Sequence, residues 1–175
     1  KTRYGLMLRE DGMVMDDGTT ARLGQTHYLM TTTTANAVGV YRHLEFVRQC
    51  LRPDMDVQLI SATDSWAQFA VAGPNARHVL EAVVDHEHDI SNEGFPFMAC
   101  GEITVCGGTP ARLFRISFSG ELAYEIAVPA RYGDAMIRAL MQAGEPYDIT
   151  PYGTEALGVM RIEKGHVTGN ELNGT

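Results

Sequence analysis

The first thirty residues carry short apolar runs at 4–8 (YGLML), 12–16 (GMVMD), 20–23 and 27–31 (HYLMT), separated by Asp-Gly and Leu-Gly pairs. That punctuation predicts a β-meander. After the threonine run at 31–34, Asn36 is placed to cap a helix whose apolar positions Val40, Leu44, Val47 and Leu51 recur on one face and stop before Pro53. Residues 57–61 and 66–72 then read as strands, and Gly73-Pro74 opens a second helix with Val79, Leu80, Val83 and Val84 on one side. Strands are predicted again at 101–106, 111–118 and 122–128; in the middle one Phe114, Ile116 and Phe118 alternate with Arg115, Ser117 and Ser119. Helices follow at about 130–143 and 154–164, the second closed by Gly165. Two rounds of strands and helices without a Gly/Ser-rich linker predict an α+β fold, a largely antiparallel sheet with packed helices.

Composition narrows the possibilities. A chain of 175 residues and 19.2 kDa can bury a real core, as one substantial domain or two lobes sharing one, which excludes a disulfide-stapled miniprotein. Hydrophobic residues at 45% and charged residues at 21% argue against disorder. Fourteen Lys and Arg against 22 Asp and Glu give a formal charge of −8, and the basic residues are scattered. Duplex nucleic acid is therefore not an expected partner, whereas a small anion needs only one local basic group. No uncharged apolar stretch approaches the roughly 18 residues that span a bilayer, so no membrane is expected either. Cys50, Cys100 and Cys106 form no Cys-x-x-Cys pair, and the odd count fits reduced thiols in a cytoplasmic setting. The start, Lys1-Thr2-Arg3-Tyr4-Gly5, lacks an initiator Met and an export signal and enters a strand-like run at once, the pattern of a cut end.

Two carboxylates stand out. Asp16 and Asp17 follow Met13-Val14-Met15 and precede Gly18, so one acid points to each face of a strand end or turn. The local pattern fits an Asp-Asp-Gly hairpin turn; it also fits a carboxylate projecting into a cleft, able to take a proton from an amine or stabilise a cation. In Leu122-Ala123-Tyr124-Glu125-Ile126-Ala127-Val128, alternation puts Tyr124, Ile126 and Val128 on one face and Ala123, Glu125 and Ala127 on the other. Glu125 is either a solvent-facing strand residue or an acid on an open alanine floor, suited to the ring N–H groups of a flat heterocycle. His86-Glu87-His88-Asp89 lacks the i, i+4 spacing of a helical metal pair and reads as a solvated acidic loop. His27, His43, His78 and His166 stand singly, and Gly-x-Ser-x-Gly, Walker and Gly-x-Gly-x-x-Gly patterns are missing. Arg161 lies in an otherwise apolar helical stretch and calls for a partner, a structural ion pair before a ligand.

Four segments in order, YGLMLREDGMVMDDG near the start, FAVAGPNAR at 69–77, RISFSGELAYEIAVP at 115–129 and PYGTEALGVMRIEKG at 151–165, followed by GNEL, resemble the folate-binding domain of the glycine-cleavage T-protein (aminomethyltransferase) family. That family includes dimethylglycine dehydrogenases and oxidases and the α subunits of heterotetrameric sarcosine oxidases, and the wording here is most similar to the last branch. T proteins usually carry Gly-Tyr-Thr-Gly-Glu where this chain has Ser117-Phe118-Ser119-Gly120-Glu121, and the first Arg of their Ala-Arg-Asp-x-Leu-Arg stretch is Leu157 here, so any folate-tail contact of that Arg does not carry over. Arg161 matches the second Arg.

The resemblance implies that Asp16 lies near the folate N10 and the transferred one-carbon unit, as the catalytic acid. It implies that Glu125 binds the pterin ring, with Tyr124 and Arg161 as weaker cofactor-binding candidates. It further implies tetrahydrofolate as the ligand of this domain, with FAD or FMN and NAD held elsewhere in a hetero-oligomer of sarcosine oxidase subunits. The expected activity is capture of the iminium from sarcosine oxidation to form 5,10-methylenetetrahydrofolate and glycine. A T-protein aminomethyltransferase working with a lipoyl carrier, and a non-catalytic interaction module, are the other readings. The family is longer at both ends, so residues 1–175 are expected to be a partial folate-binding domain.

Overall fold

The computed structural model of the chain describes residues 1–173. The order is β1 (Thr2–Leu8), β2 (Val14–Arg22), β3 (Tyr28–Met30), α1 (Ala37–Phe46), β4 (Trp66–Ala72), α2 (Ala76–Glu81), β5 (Cys100–Val105), β6 (Thr109–Phe114), β7 (Ala123–Pro129), α3 (Gly133–Gly144) and α4 (Thr154–Lys164). The strands form two antiparallel sheets, β1-β2-β3 and β4-β7-β6-β5. The α+β architecture with antiparallel sheets is the one the hydrophobic pattern predicts.

Strand β7 sits inside the four-stranded sheet, and its Tyr124, Ile126 and Val128 are each 0% exposed. With Val71 of β4, Leu113 of β6 and Ile103 and Val105 of β5 they make one apolar face. Helices α2 and α3 close that face with Ala76, Val79 and Leu80 and with Met136 and Leu140. A one-sided helical layer leaves the opposite face of the sheet free for a site. The two sheets meet through a smaller cluster of Ala21, Phe114 and Ile116, with Leu23, Leu29, Met98 and Cys100 packed around it. A backbone bond from Thr2 N to Met98 O at 2.7 Å reinforces the junction.

Several local expectations change. The runs at 12–16 and 20–23 fuse into the single strand β2, so Asp16-Asp17-Gly18 is not a hairpin turn but lies within a ladder, paired with Met7, Leu6 and Gly5. Glycine at 18 permits this: a Cβ there would stand 1.9 Å from Thr31 O, so the return strand approaches only because the side chain is missing. Asn36 occupies the N-cap position of α1 without capping it; its Nδ2 donates instead to Met15 O at 2.8 Å, tying the helix start to β2. The helix runs on as a π turn, Val47–Leu51. Residues 57–61 form no strand, because no sheet edge stands beside them and Ile60 remains 84% exposed. Helix α2 ends at Glu81, before Val83 and Val84, which are nonetheless buried, Val84 through a bridge to Val105. Strand β6 stops at Phe114, short of 118. Helix α4 has the predicted span, and Gly165 closes it at φ +83°. The three cysteines are free thiols, Cys50 and Cys106 exposed. Among the described residues no helix is long and apolar enough to cross a membrane.

Leu113 has no exposed surface at the centre of the main core. Leu113→Ala is expected to cost about 2–5 kcal/mol in urea denaturation, with little change in the denaturant slope.

Candidate functional site

A cleft of about 400 Å³ opens over the face of the four-stranded sheet that the helices leave free. That face carries Gln68, Ala70 and Ala72 from β4 and Ala123, Glu125 and Ala127 from β7, paired as Gln68–Ala127, Ala70–Glu125 and Ala72–Ala123. The alanines give the cleft a flat, shallow floor. Its walls are residues 32–34 on one side, Ile116, Phe118 and Ser119 from the end of β6 onward, and Tyr152 and Leu157 at the entry to α4.

Glu125 rises from this floor. Its Oε2 accepts a short hydrogen bond from Gln68 Nε2, and its strand neighbours across the ladder are Ala70 and Phe114. Burial pushes the Glu125 carboxyl above the ordinary glutamate value near 4.5, with the Gln68 hydrogen bond opposing that shift. Tyr152, on the opposite wall, has its phenol raised by burial and by the Glu125 charge.

Asp16 is placed differently. It is 3% exposed and stands behind the 32–34 wall rather than on the cleft surface. Its Oδ1 accepts from Asp17 N at 2.8 Å and Thr33 N at 3.4 Å, and its Oδ2 accepts from Thr33 Oγ1 at 3.2 Å. Asp17 points to the other side of β2, accepting from Tyr4 Oη at 2.9 Å and Gly169 N at 3.2 Å. Of the acid pair, Asp16 is thus the one linked to the cleft, through Thr33. The wall itself is fixed by Thr31, whose N–H donates to Thr19 O at 2.8 Å and whose hydroxyl accepts from Thr19 N at 3.0 Å.

Tyr124 and Arg161 are committed elsewhere. Tyr124 borders the cleft, yet it is fully buried in the main core, and its hydroxyl accepts from Arg77 Nε at 2.9 Å. Arg161 donates from Nη1 to His166 O at 3.1 Å and to Glu171 Oε2 at 2.9 Å, bracing the end of α4 against the 169–171 turn, and it is not among the cleft walls. Sequence reasoning missed Gln68 and Tyr152. The alternation of β4 puts Gln68 on the alanine face, but only the β4–β7 register reveals that it meets Glu125; Tyr152 lies in a loop without periodicity.

The His86-Glu87-His88-Asp89 loop borders a second cavity of about 400 Å³. His88 Nε2 accepts from Thr104 N at 2.9 Å, and Asp85 accepts from Gly107 N at 2.7 Å and Gly108 N at 2.8 Å, so these side chains stitch the loop to the β5–β6 turn. Among the described residues no group of three or more His, Cys, Asp or Glu is arranged to hold a metal ion.

Fold and site together define a two-sheet α+β domain with a carboxylate on the floor of an open cleft. The chain belongs to the GCVT N-terminal domain family, which it matches over residues 1–175. It is 60% identical, over all of its length, to the sarcosine oxidase subunit alpha of Rhizobium meliloti (strain 1021), and 46% identical over 99% of its length to that of Corynebacterium sp. (strain P-1). It spans 18% of the length of each of those proteins. An aminomethyltransferase from Chloroherpeton thalassium is 30% identical over 99% of the chain, which covers 46% of that protein. Among solved structures, the glycine cleavage system aminomethyltransferase T from Bartonella henselae shares the fold with a TM-score of 0.79, at 24% identity, covering 98% of this chain and 43% of that one.

A carboxyl whose value is raised on folding holds its proton more tightly in the native than in the unfolded chain. Its favourable contribution is complete below the ordinary value near 4.5 and is lost as pH rises through the raised native value. Glu125→Gln, which removes that ionisation, is therefore expected to raise the melting temperature at neutral pH, with the gain over wild type shrinking to nothing as the pH is lowered past the ordinary glutamate range.

Proposed function

We propose that this chain is the folate-binding part of a sarcosine oxidase α subunit, and that its cleft holds the pterin ring of tetrahydrofolate on Glu125. The observation that carries the reading is a partly buried carboxylate standing on a floor of Ala70, Ala72 and Ala123 in a cleft large enough for a bicyclic ring. The 60% identity to a sarcosine oxidase α subunit, against 30% to an aminomethyltransferase, supports the oxidase over the lipoyl-dependent transferase.

The donor set fits the group. An ionised carboxylate is acceptor-only, with two oxygens free to receive paired ring N–H groups. Desolvation disfavours the bare Glu125 charge, so donors that restore its hydrogen bonds are bound with corresponding gain. The flat aliphatic floor accepts a planar face without steric protrusion. Tetrahydrofolate held there by Glu125 would supply the two amine nitrogens that take up the one-carbon unit of the iminium from sarcosine oxidation, as 5,10-methylenetetrahydrofolate, with glycine as the leaving amine. The chain's own part is to hold the ring, exclude water and present acidic groups. Asp16, locked as an acceptor by Thr33, supplies negative potential behind the 32–34 wall, where it stabilises cationic character and reaches an amine proton in the cleft only by relay through the Thr33 hydroxyl. Positioning the two reactants together makes their encounter effectively intramolecular. Tyr124 and Arg161 serve as supports, Tyr124 by anchoring β7 and Arg161 by bracing α4.

In this proposal flavin and NAD sit outside residues 1–175, on other parts of a cytoplasmic hetero-oligomer whose further subunits are the partners. Neither nucleic acid nor a membrane has a role in it.

Calorimetry of the full-length polypeptide with 5-formyltetrahydrofolate, a stable reduced folate, is expected to give saturable binding that Glu125→Ala weakens by roughly tenfold or more. Unchanged affinity would remove Glu125 from the site, and absence of binding in the wild type would favour the interaction module. In the assembled enzyme, Asp16→Asn is expected to depress methylenetetrahydrofolate formation more than sarcosine-dependent peroxide release; equal losses would count against a folate-side role.

A further inference from the structure

We infer that Gln68 is a positioning residue for the site, holding Glu125 by its Oε2 so that the carboxylate stands upright on the alanine floor with Oε1 turned to the cleft. This deepens the folate-site reading and rests on it for the ligand, though not for the geometry. Gln68 and Glu125 lie on the same face of adjacent strands, offset by one pair: Gln68 faces Ala127, and Ala70 faces Glu125. A diagonal of this kind is within reach of long side chains. The direct cross-strand neighbours of Glu125, Ala70 and Phe114, carry no polar side-chain group, so at those positions nothing can hold the carboxylate, and without Gln68 a glutamate with three free torsions would sweep the floor.

The chemistry is specific to an amide. Toward an ionised carboxylate the Gln68 NH2 group donates, as observed. Toward a protonated carboxyl the same amide, turned over, offers its carbonyl as an acceptor. Gln68 therefore holds Glu125 in either protonation state, and holds the ionised carboxylate more strongly because a hydrogen bond to a charged acceptor is stronger than one to a neutral group. It spends one of the roughly four acceptor positions of the carboxylate, which leaves both oxygens able to receive a ligand N–H. Of the charged or titratable groups on this side of the sheet, Tyr152 from the loop before α4 feels the Glu125 charge, Arg112 on β6 lies with its guanidinium 4.0 Å from the Trp66 ring centroid, and Asp16 is bonded to Thr33. None of them makes a hydrogen bond to Glu125, so Gln68 is its one side-chain partner among the described residues.

The test separates the positioning role from the folate reading by using a ligand-free measurement first. Carbodiimide with glycine ethyl ester modifies protonated carboxyls, and peptide mass spectrometry reads the labelling of Glu125 against pH in the full-length polypeptide. Gln68 is exposed, so Gln68→Leu leaves the core untouched. Gln68→Leu is expected to move the labelling midpoint of Glu125 upward by about one pH unit, and Gln68→Glu, which adds a like charge, to move it further. With 5-formyltetrahydrofolate as probe, Gln68→Leu is expected to weaken binding by roughly five- to tenfold at neutral pH. If neither variant shifts the Glu125 labelling midpoint, the inference is overturned whatever the folate result. If the midpoint shifts but wild-type protein does not bind 5-formyltetrahydrofolate, the folate reading fails and the positioning of Glu125 by Gln68 is supported.

Discussion

Strand β7 has neighbours on both sides, β4 and β6, and its two faces do opposite work. Tyr124, Ile126 and Val128 are wholly buried under α2 and α3, and because side chains alternate along a strand, that burial turns Ala123, Glu125 and Ala127 toward the cleft. A slip of one residue would bring the acid into the apolar core and the tyrosine onto the floor. The packing of the core face therefore determines the orientation of the site, and the Arg77–Tyr124 hydrogen bond adds a polar lock to the same register. Small residues on one side of the strand and large ones on the other are two halves of a single constraint.

The cleft needs a second, independent constraint, the approach of the 31–34 run to β2. Gly18 and the Thr19–Thr31 hydrogen bonds bring that run against the strand, and Thr33 then links it to Asp16. The two acids therefore occupy distinct electrostatic settings. Glu125 stands on the surface of the cleft with one amide partner and a desolvated charge, whereas Asp16 lies behind a wall with three donors around it. Unequal settings of this kind suit two carboxylates to different tasks.

Much of this was legible from the chain alone. The 3.6- and 2-residue periodicities locate α4, β4 and β7, and the alternation in 122–128 separates Glu125 from Tyr124 without coordinates. Long-range backbone contacts were not legible. Asp16-Asp17-Gly18 resembles a turn because Gly after two acids commonly makes one; only the close approach of Thr31 shows the glycine serving a ladder instead. Asn36 resembles a cap because local propensity cannot anticipate the Met15 carbonyl twenty-one residues back. Residues 57–61 carry strand-like composition without a partner edge, and composition says nothing about partners. Gln68 was invisible for the same reason, since its significance is a cross-strand relation. The family resemblance gave the two acids their expected roles; it did not show that Tyr124 and Arg161 are hydrogen-bonded to Arg77 and to Glu171.

The stretch from His166 to Leu172 makes contacts at both ends of the molecule. It receives Arg161 from α4, stacks His166 edge-on against Phe118 of the cleft wall and Tyr4 of β1, and bonds Gly169 N to Asp17 and Leu172 O to Val14 N. Mechanically it is a drawstring, tying the end of α4 and the Phe118 wall of the cleft to β2 at Asp17, one residue from Asp16.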